Sequence, residues 1–292
     1  ATNAFYKLIY GNSHIFSREV SGTKSSVSKL ELDDLKGFYE KNFSPSISRF
    51  NVAGNVTQEE VLDALASLEK NWETKQVDFP EYSVVTKPQS SRIFFIDVPG
   101  AKQSVIIAGN LSIPRTNPEY YALTVMNYKL GGSFSSFLNM ILREEKGYTY
   151  GARSNFSEMK NPAPFYANSS VRSDATYESV NIFKTTMDSY RNGISEEDLT
   201  FTRNSLIKSN LRRFETINNL LSMLSSVSKY NLPERYILEE ENVVRNMTLE
   251  QHKQLAQEYI KPDQMIYVIA GDAATQMSPL EKAGLGKPVL LN

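Results

Sequence analysis

The first twenty-nine residues carry no apolar period; serine, glycine and lysine predominate, and the stretch reads as irregular surface chain. Order is predicted from Leu32 onward, where Leu35, Phe38, Tyr39 and Phe43 recur at helical spacing up to Pro45. Residues 47–54 then predict a short strand stopped by Gly54. Thr57 and Glu60 have the spacing of a capping box, and behind them Val61, Leu65, Leu68 and Trp72 fall on one helix face. Residues 76–90 hold two prolines and no period, which predicts a linker.

Two strands follow over 93–98 and 103–109, joined by the turn dipeptide Pro99-Gly100. Pro118 opens a helix that carries Tyr121, Val125 and Tyr128 to a stop at Gly131-Gly132. A second helix runs from about Ser136 to Glu145, with Phe137, Leu138, Ile141 and Leu142 facing inward and Gly147 as its C-cap. Strands are predicted over 148–157 and 165–171, on either side of a proline bend. Helices are predicted over 175–192, 196–213, 216–230, 234–245 and 248–259, then strands over 265–270 and 288–291.

An internal repeat organises the pattern. Residues 32–54 align without gaps onto 249–271, and Leu32, Lys36, Pro45, Ala53 and Gly54 match Leu249, Lys253, Pro262, Ala270 and Gly271. Both copies read as helix, proline, strand, Ala-Gly. The second copy closes a run that begins near Ser91, whereas the first arrives after some thirty residues. The chain is therefore expected to start partway through one domain, with 1–75 as the C-terminal tail of a homologous domain, 76–90 as linker and 91–292 as one complete domain.

Composition narrows the classes. With 40% hydrophobic and 22% charged residues, the 292-residue chain has the make-up of a folded protein rather than a disordered one. Lys and Arg number 32 against 33 Asp and Glu, so no net field steers nucleic acid or an anionic membrane. No apolar run reaches the length of a membrane span. The absence of cysteine removes disulfides, thiolate metal sites and cysteine nucleophiles together.

Chemistry concentrates in LGGSFSSFLNMILREEKGYTYGARS, residues 130–154. Arg143 falls at a helix end and Tyr150 in the strand beyond a glycine turn, so both polar tips could converge beside that turn. Guanidinium and phenol are donors suited to a carbonyl or an oxyanion. The same residues also fit an arginine favoured by the helix dipole and a tyrosine half-buried in a strand.

In this stretch the chain resembles the C-terminal, metal-free domain of the pitrilysin-like (inverzincin) zinc peptidases, the group of insulin-degrading enzymes and mitochondrial processing peptidases. The glycine-rich turn, the Leu-Arg-Glu helix end and the tyrosine seven residues after the arginine carry the likeness. Asp97 with Gln103 and the strand ends at Ala53-Gly54 and Ala270-Gly271 add to it. Nearly the whole chain is covered; Phe137 departs, where the family commonly has arginine. The resemblance implies an α+β, LuxS/mitochondrial-processing-peptidase-like metallohydrolase fold, a mixed and mostly antiparallel sheet with helices packed on one face. It also implies a clamshell in which a zinc-bearing homologous domain or subunit faces the metal-free one across an extended peptide substrate. Carried over residue by residue, Tyr150 would hydrogen-bond the oxyanion, Arg143 would hold a substrate carbonyl, and Gly131 and Gly132 would lie along the peptide. The alternative is an inactive scaffold or a peptide-binding and assembly domain. Overall likeness favours a bacterial protein, exported or periplasmic.

The family's zinc motif, H-x-x-E-H with a distal glutamate, is missing. His14 and His252 are remote in sequence, and Glu250 lies two residues from His252, on another side of its helix. The chain is thus expected to hold no metal, to be inactive alone, and to depend on zinc in its partner. Gly284-Leu285-Gly286-Lys287 lacks the Ser/Thr and the context of a phosphate loop. Arg203, Lys208, Arg212 and Arg213 read as a solvated basic face, and Ser133, Ser135 and Ser136 lack a histidine partner nearby.

Overall fold

Two strands made consecutively, β1 (Arg92–Asp97) and β2 (Gln103–Leu111), do not pair with each other. A strand from the far end of the chain, β5 (Ile266–Gly271), lies between them, parallel to β1 and antiparallel to β2. The computed structural model describes residues 1–81 and 92–291; the expected linker lies outside the described residues from 82 onward. These residues form two units, one of 1–18, 92–208 and 235–291, the other of 19–81 and 209–234.

In the first unit, β3 (Thr149–Phe156), β4 (Pro164–Arg172) and β6 (Val289–Leu291) complete a six-stranded sheet of order β3-β4-β2-β5-β1-β6. Three of its pairings are antiparallel and two parallel. This is the mixed α+β sheet expected from the sequence. Two carboxylates pin the crossing of β1 and β5: Asp97 accepts from the Ala273 amide at 3.0 Å, and Asp272 from the Gly100 amide at 3.2 Å. Strand alternation sorts the side chains between two cores. Ile93, Phe95, Ile106, Tyr267 and Ile269 face a helix layer that includes α4 (Tyr120–Asn127), α6 (Thr176–Tyr190) and α10 (Leu249–Tyr259). Each such fully buried side chain is worth roughly 1.5–3 kcal/mol of transfer free energy.

The opposite face carries the first correction. Residues 1–29 are not uniformly irregular: Thr2–Tyr10 form α1, and Phe5, Ile9 and Tyr10 are buried against Ile107, Leu111, Ile266 and Val268. The Tyr10 hydroxyl donates to the Pro162 carbonyl at 2.8 Å. Its apolar stripe is only three residues long and is followed by a Ser/Gly-rich segment, which hides the period.

The second unit contains α2 (Leu32–Asn42), α3 (Gln58–Asn71) and α8 (Ile217–Tyr230), with α7 (Glu196–Leu211) leading into it and α9 (Tyr236–Asn246) following it. The capping box at α3 forms as expected, with the Glu60 amide donating to Thr57 Oγ1 at 3.2 Å and the Thr57 amide to Glu60 Oε2 at 2.7 Å. The strand expected over 47–54 does not form; a 3-10 turn, Pro45–Ile47, leads into extended chain. No partner strand in the described part of this unit takes up its backbone groups.

His252 belongs to the core of the first unit, on α10. It is buried, with Nε2 3.0 Å from the Tyr190 hydroxyl, which itself donates to the Met126 carbonyl. Burial pushes its imidazole down to about 4, against the helping effects of the Met126 carbonyl and of Asp198. The folded state therefore holds His252 neutral, while the unfolded chain protonates it near pH 6.5. Its contribution is complete above pH 6.5 and is lost as pH falls toward 4, a loss of about 3 kcal/mol in all. Urea unfolding at pH 7 and pH 4 should show the wild type losing that much more than His252→Gln. Equal losses in the two proteins would contradict the assignment.

Candidate functional site

The glycine-rich turn between α4 and the next helix is held by side chains that converge on it from three sides. α4 widens into a π-helical turn, Tyr128–Gly132. Lys129 leaves this turn to reach Asp198 at 2.9 Å and the Ser135 carbonyl at 3.2 Å, with its ammonium over the rings of Phe137 and Phe201. The Asn127 amide donates to the Ser154 carbonyl at 2.8 Å and accepts from the Ser154 hydroxyl. Gly131 packs so closely on β3 that a Cβ would stand 2.3 Å from the Ser154 nitrogen; at Gly132 the nearest atom would be 3.2 Å away. Gly131 is buried and Gly132 exposed. The hydroxyls of Ser133 and Ser136 are buried with no hydrogen-bond partner among the described residues.

Beyond the turn, α5 begins as Phe137–Asn139 and continues as a second π-helical turn, Met140–Glu145. Leu138 and Leu142 are buried, as their spacing predicts. The Lys146 amide donates five residues back to Ile141, and Gly147, at φ 63, closes the helix where a side chain would be strained. Arg143 rides on the widened turn. Its guanidinium sits 4.7 Å from the Phe134 ring centre, and Nε lies 3.2 Å from Glu144 Oε1.

Tyr150 owes its direction to an irregularity in β3. Along this edge strand Ala152, Ser154 and Phe156 point into the core, and simple alternation would send Tyr150 the same way. The register shifts between Thr149 and Ala152, and Tyr150 turns out to 91% exposure. Thr149 holds the bulge, accepting from the Gly151 amide at 3.0 Å and donating to the Ser170 carbonyl at 2.7 Å. The Ser169 hydroxyl donates to the Gly151 carbonyl at 2.9 Å. Asn139 ties both halves together: its Oδ1 accepts from the Ala152 amide at 3.1 Å and its Nδ2 donates to the Phe134 carbonyl at 2.7 Å.

Arg143, on the widened helical turn, and Tyr150, on the edge strand β3, are both exposed, and no hydrogen bond joins them among the described residues. Thr149 and Asn139 hold the backbone around them, Asn127 and Lys129 hold the glycine-rich turn, and none of the four was singled out in the sequence. Lone polar residues inside an apolar helix or a strand were the only signal.

The histidines are spent elsewhere. His14 Nδ1 accepts from the Phe16 amide at 3.1 Å and its ring stacks on Tyr10 at 4.9 Å, while His252 is committed to Tyr190. Among the described residues no three His, Asp or Glu side chains gather as a metal site, so this donor set does not fit zinc. No described helix is long and apolar enough to cross a membrane.

The mixed sheet with its helix layer makes the first unit an α+β domain. The sequence model described as Peptidase M16 inactive domain matches residues 29–206, and the chain belongs to that family. It is 27% identical over 203 residues to an uncharacterised zinc protease of Streptomyces coelicolor, covering 67% of this chain and 43% of that protein. A non-peptidase homologue of Helicobacter pylori is 24% identical over 254 residues, covering 86% and 58%. A Pseudomonas fluorescens structure described as a peptidase M16 inactive domain superposes with TM-score 0.79 at 24% identity, over 93% of this chain and 65% of that one. The chain spans about half the length of the curated relatives it matches.

The two glycines should respond differently to alanine. Gly131→Ala forces a methyl group into the β3 backbone and should cost about 1–3 kcal/mol by overpacking. Gly132→Ala should cost well under half of that. Urea midpoints measure both, and equal effects would remove the close-approach argument.

Proposed function

We propose that this chain is the metal-free half of an M16 zinc peptidase and presents Arg143 and Tyr150 to an extended peptide. A zinc-bearing homologous domain or subunit would face it across that peptide. The observation that carries this reading is the β3 bulge, which turns a strand tyrosine out of the core to the surface, where Arg143 is also exposed. A tyrosine kept only for packing would follow the alternation inward.

The partner's zinc would supply the activated water. This chain's groups have the simpler task of binding. The Tyr150 hydroxyl donates a hydrogen bond to the oxyanion that forms at the scissile carbonyl, and Arg143 donates to a neighbouring peptide carbonyl. Both donors act without gaining or losing a proton. Gly132 lies at the open side of the turn, where backbone can approach a peptide; Gly131 shapes the turn from beneath.

A second reading, an inactive scaffold or assembly domain, draws support from the Helicobacter pylori relative named as a non-peptidase homologue. Reconstitution with a zinc-bearing M16 partner distinguishes the two. The peptidase reading expects chelator-sensitive peptide hydrolysis from the mixture and none from this chain alone. Within the active assembly, Tyr150→Phe should lower turnover about 10²–10³-fold, the loss typical of one oxyanion donor. Zinc content should stay the same. Unchanged turnover would remove Tyr150 from the mechanism.

A further inference from the structure

Charge is sorted by sign on one face of the sheet. Paired residues of neighbouring strands share a face, so the register assigns every strand side chain to one side or the other. The face turned away from α4, α6 and α10 carries Arg92 of β1, Gln103 of β2, Arg153 and Asn155 of β3, and Asn168 and Arg172 of β4. Its charged strand residues, Arg92, Arg153 and Arg172, are all arginines, and no Asp or Glu of the described strands shares it. The whole chain balances 32 Lys and Arg against 33 Asp and Glu, so the sorting is local. α1 covers the apolar part of this face, at Ile107, Leu111, Ile266 and Val268, and brings Lys7 but no carboxylate.

The polar corner over β3 and β4 holds side chains with no work inside the fold. Arg153 and Asn155 are exposed, next but one to each other on β3, and Asn168 stands opposite Arg153 on β4, half-buried. None of these three side chains makes a hydrogen bond or ion pair among the described residues. On the core side, by contrast, Asn127 and Asn139 are bonded through both ends of their carboxamides. Arg172 is also spent, since its guanidinium donates to Asp174 at 3.0 and 2.9 Å. At the end of β3, Asn155 and Tyr166 line a cavity of about 460 Å³; Glu158, which lines it too, lies 3.6 Å from Arg115 Nε. Arg153 is therefore the cation of this corner that no described carboxylate has claimed.

We propose that Arg153, flanked by Asn155 and Asn168, is a subsite for an acidic side chain of an extended peptide. A guanidinium presents two parallel N–H donors to a carboxylate, and a carboxamide on either side can both donate to and accept from peptide backbone. Tyr150 lies three residues before Arg153 on the same strand, about 10 Å away along it. A peptide that places its scissile carbonyl at Tyr150 thus brings a residue within about three positions of that bond over Arg153. The inference rests on the functional reading for the position of that bond and adds to it a substrate class, peptides with Asp or Glu close to the cleavage point. A single guanidinium between two carboxamides, on a chain of net charge −1, suits one carboxylate rather than a run of phosphates.

Fluorescence anisotropy on the 292-residue chain tests the subsite without a zinc-bearing partner. The probes are a labelled peptide of Ala, Ser and Glu and the same peptide with every Glu replaced by Gln. The Glu peptide should bind at least about 10-fold more tightly at low salt, with the difference shrinking as ionic strength rises. Arg153→Gln should erase the difference. Lys36→Gln, which removes the same charge from α2 in the second unit, should leave it. Amide protection of β2 shows in each case that the first unit is folded. Equal binding of the two peptides, no measurable binding of either, or a preference that survives Arg153→Gln would overturn the proposal. So would displacement of the Glu peptide by a single-stranded oligonucleotide at equal concentration, which would make the face a general polyanion surface. Turnover in the reconstituted assembly judges the functional reading separately. No Glu preference, with Tyr150→Phe still lowering turnover, removes the subsite alone; a Glu preference with turnover insensitive to Tyr150→Phe removes the functional reading and keeps the acidic subsite.

Discussion

An interior strand that buries both of its faces needs partners for its backbone amides and carbonyls on both edges. That constraint decides what this sequence becomes at each of its two helix-turn-extended units. Where β1 and β2 stand one strand apart, residues 266–271 fill the gap, and both cores of the first unit assemble around them. In the other copy, residues 49–54 meet no partner strand among the described residues and stay extended, with the Asn51 side chain accepting from Ser228 Oγ at 2.7 Å. The intrinsic preference for extended backbone is alike in both copies. Pairing, a non-local event, makes the difference.

The candidate site rests on the same accounting at smaller scale. On the edge strand β3 the Ala152 amide is satisfied by a side chain, and an unpaired buried amide costs about 1–3 kcal/mol. Asn139 supplies the missing acceptor, and its amide nitrogen fixes the carbonyl of Phe134, the ring beneath Arg143. One buried side chain therefore sets both the strand that carries the tyrosine and the shelf that carries the arginine.

Much of this was legible in the residues because local signals were strong and consistent. Thr57 with Glu60 announced a helix start, Gly147 a helix end, and the spacing of Leu138 and Leu142 an inward face. Three features escaped. α1 was hidden because one short stripe, Phe5, Ile9 and Tyr10, carries little periodic weight. The strand over 47–54 was expected because its composition suits a strand, and composition says nothing about available partners. The bulge at Thr149 was invisible because Thr-Tyr-Gly fits a regular strand as well as an irregular one. Its hydrogen bonds run to Ser169 and Ser170, some twenty residues away.

Both histidines are committed to structural contacts within the first unit. A zinc ligand must keep a ring nitrogen free and aimed at a shared point, with neighbours that polarise water. His252 instead presents Nε2 to Tyr190 in a dry core that holds the imidazole neutral, and His14 spends Nδ1 on capping a turn beside α1. Moving either ring toward a common ion would break a core contact or a cap without bringing the other within reach, since they belong to opposite faces of one sheet. What remains at the surface is a pair of donors, Arg143 and Tyr150, that need no metal to be in place. In the proposed reading, donors of that kind hold a peptide carbonyl without changing charge, and activation of water is assigned to the zinc-bearing partner.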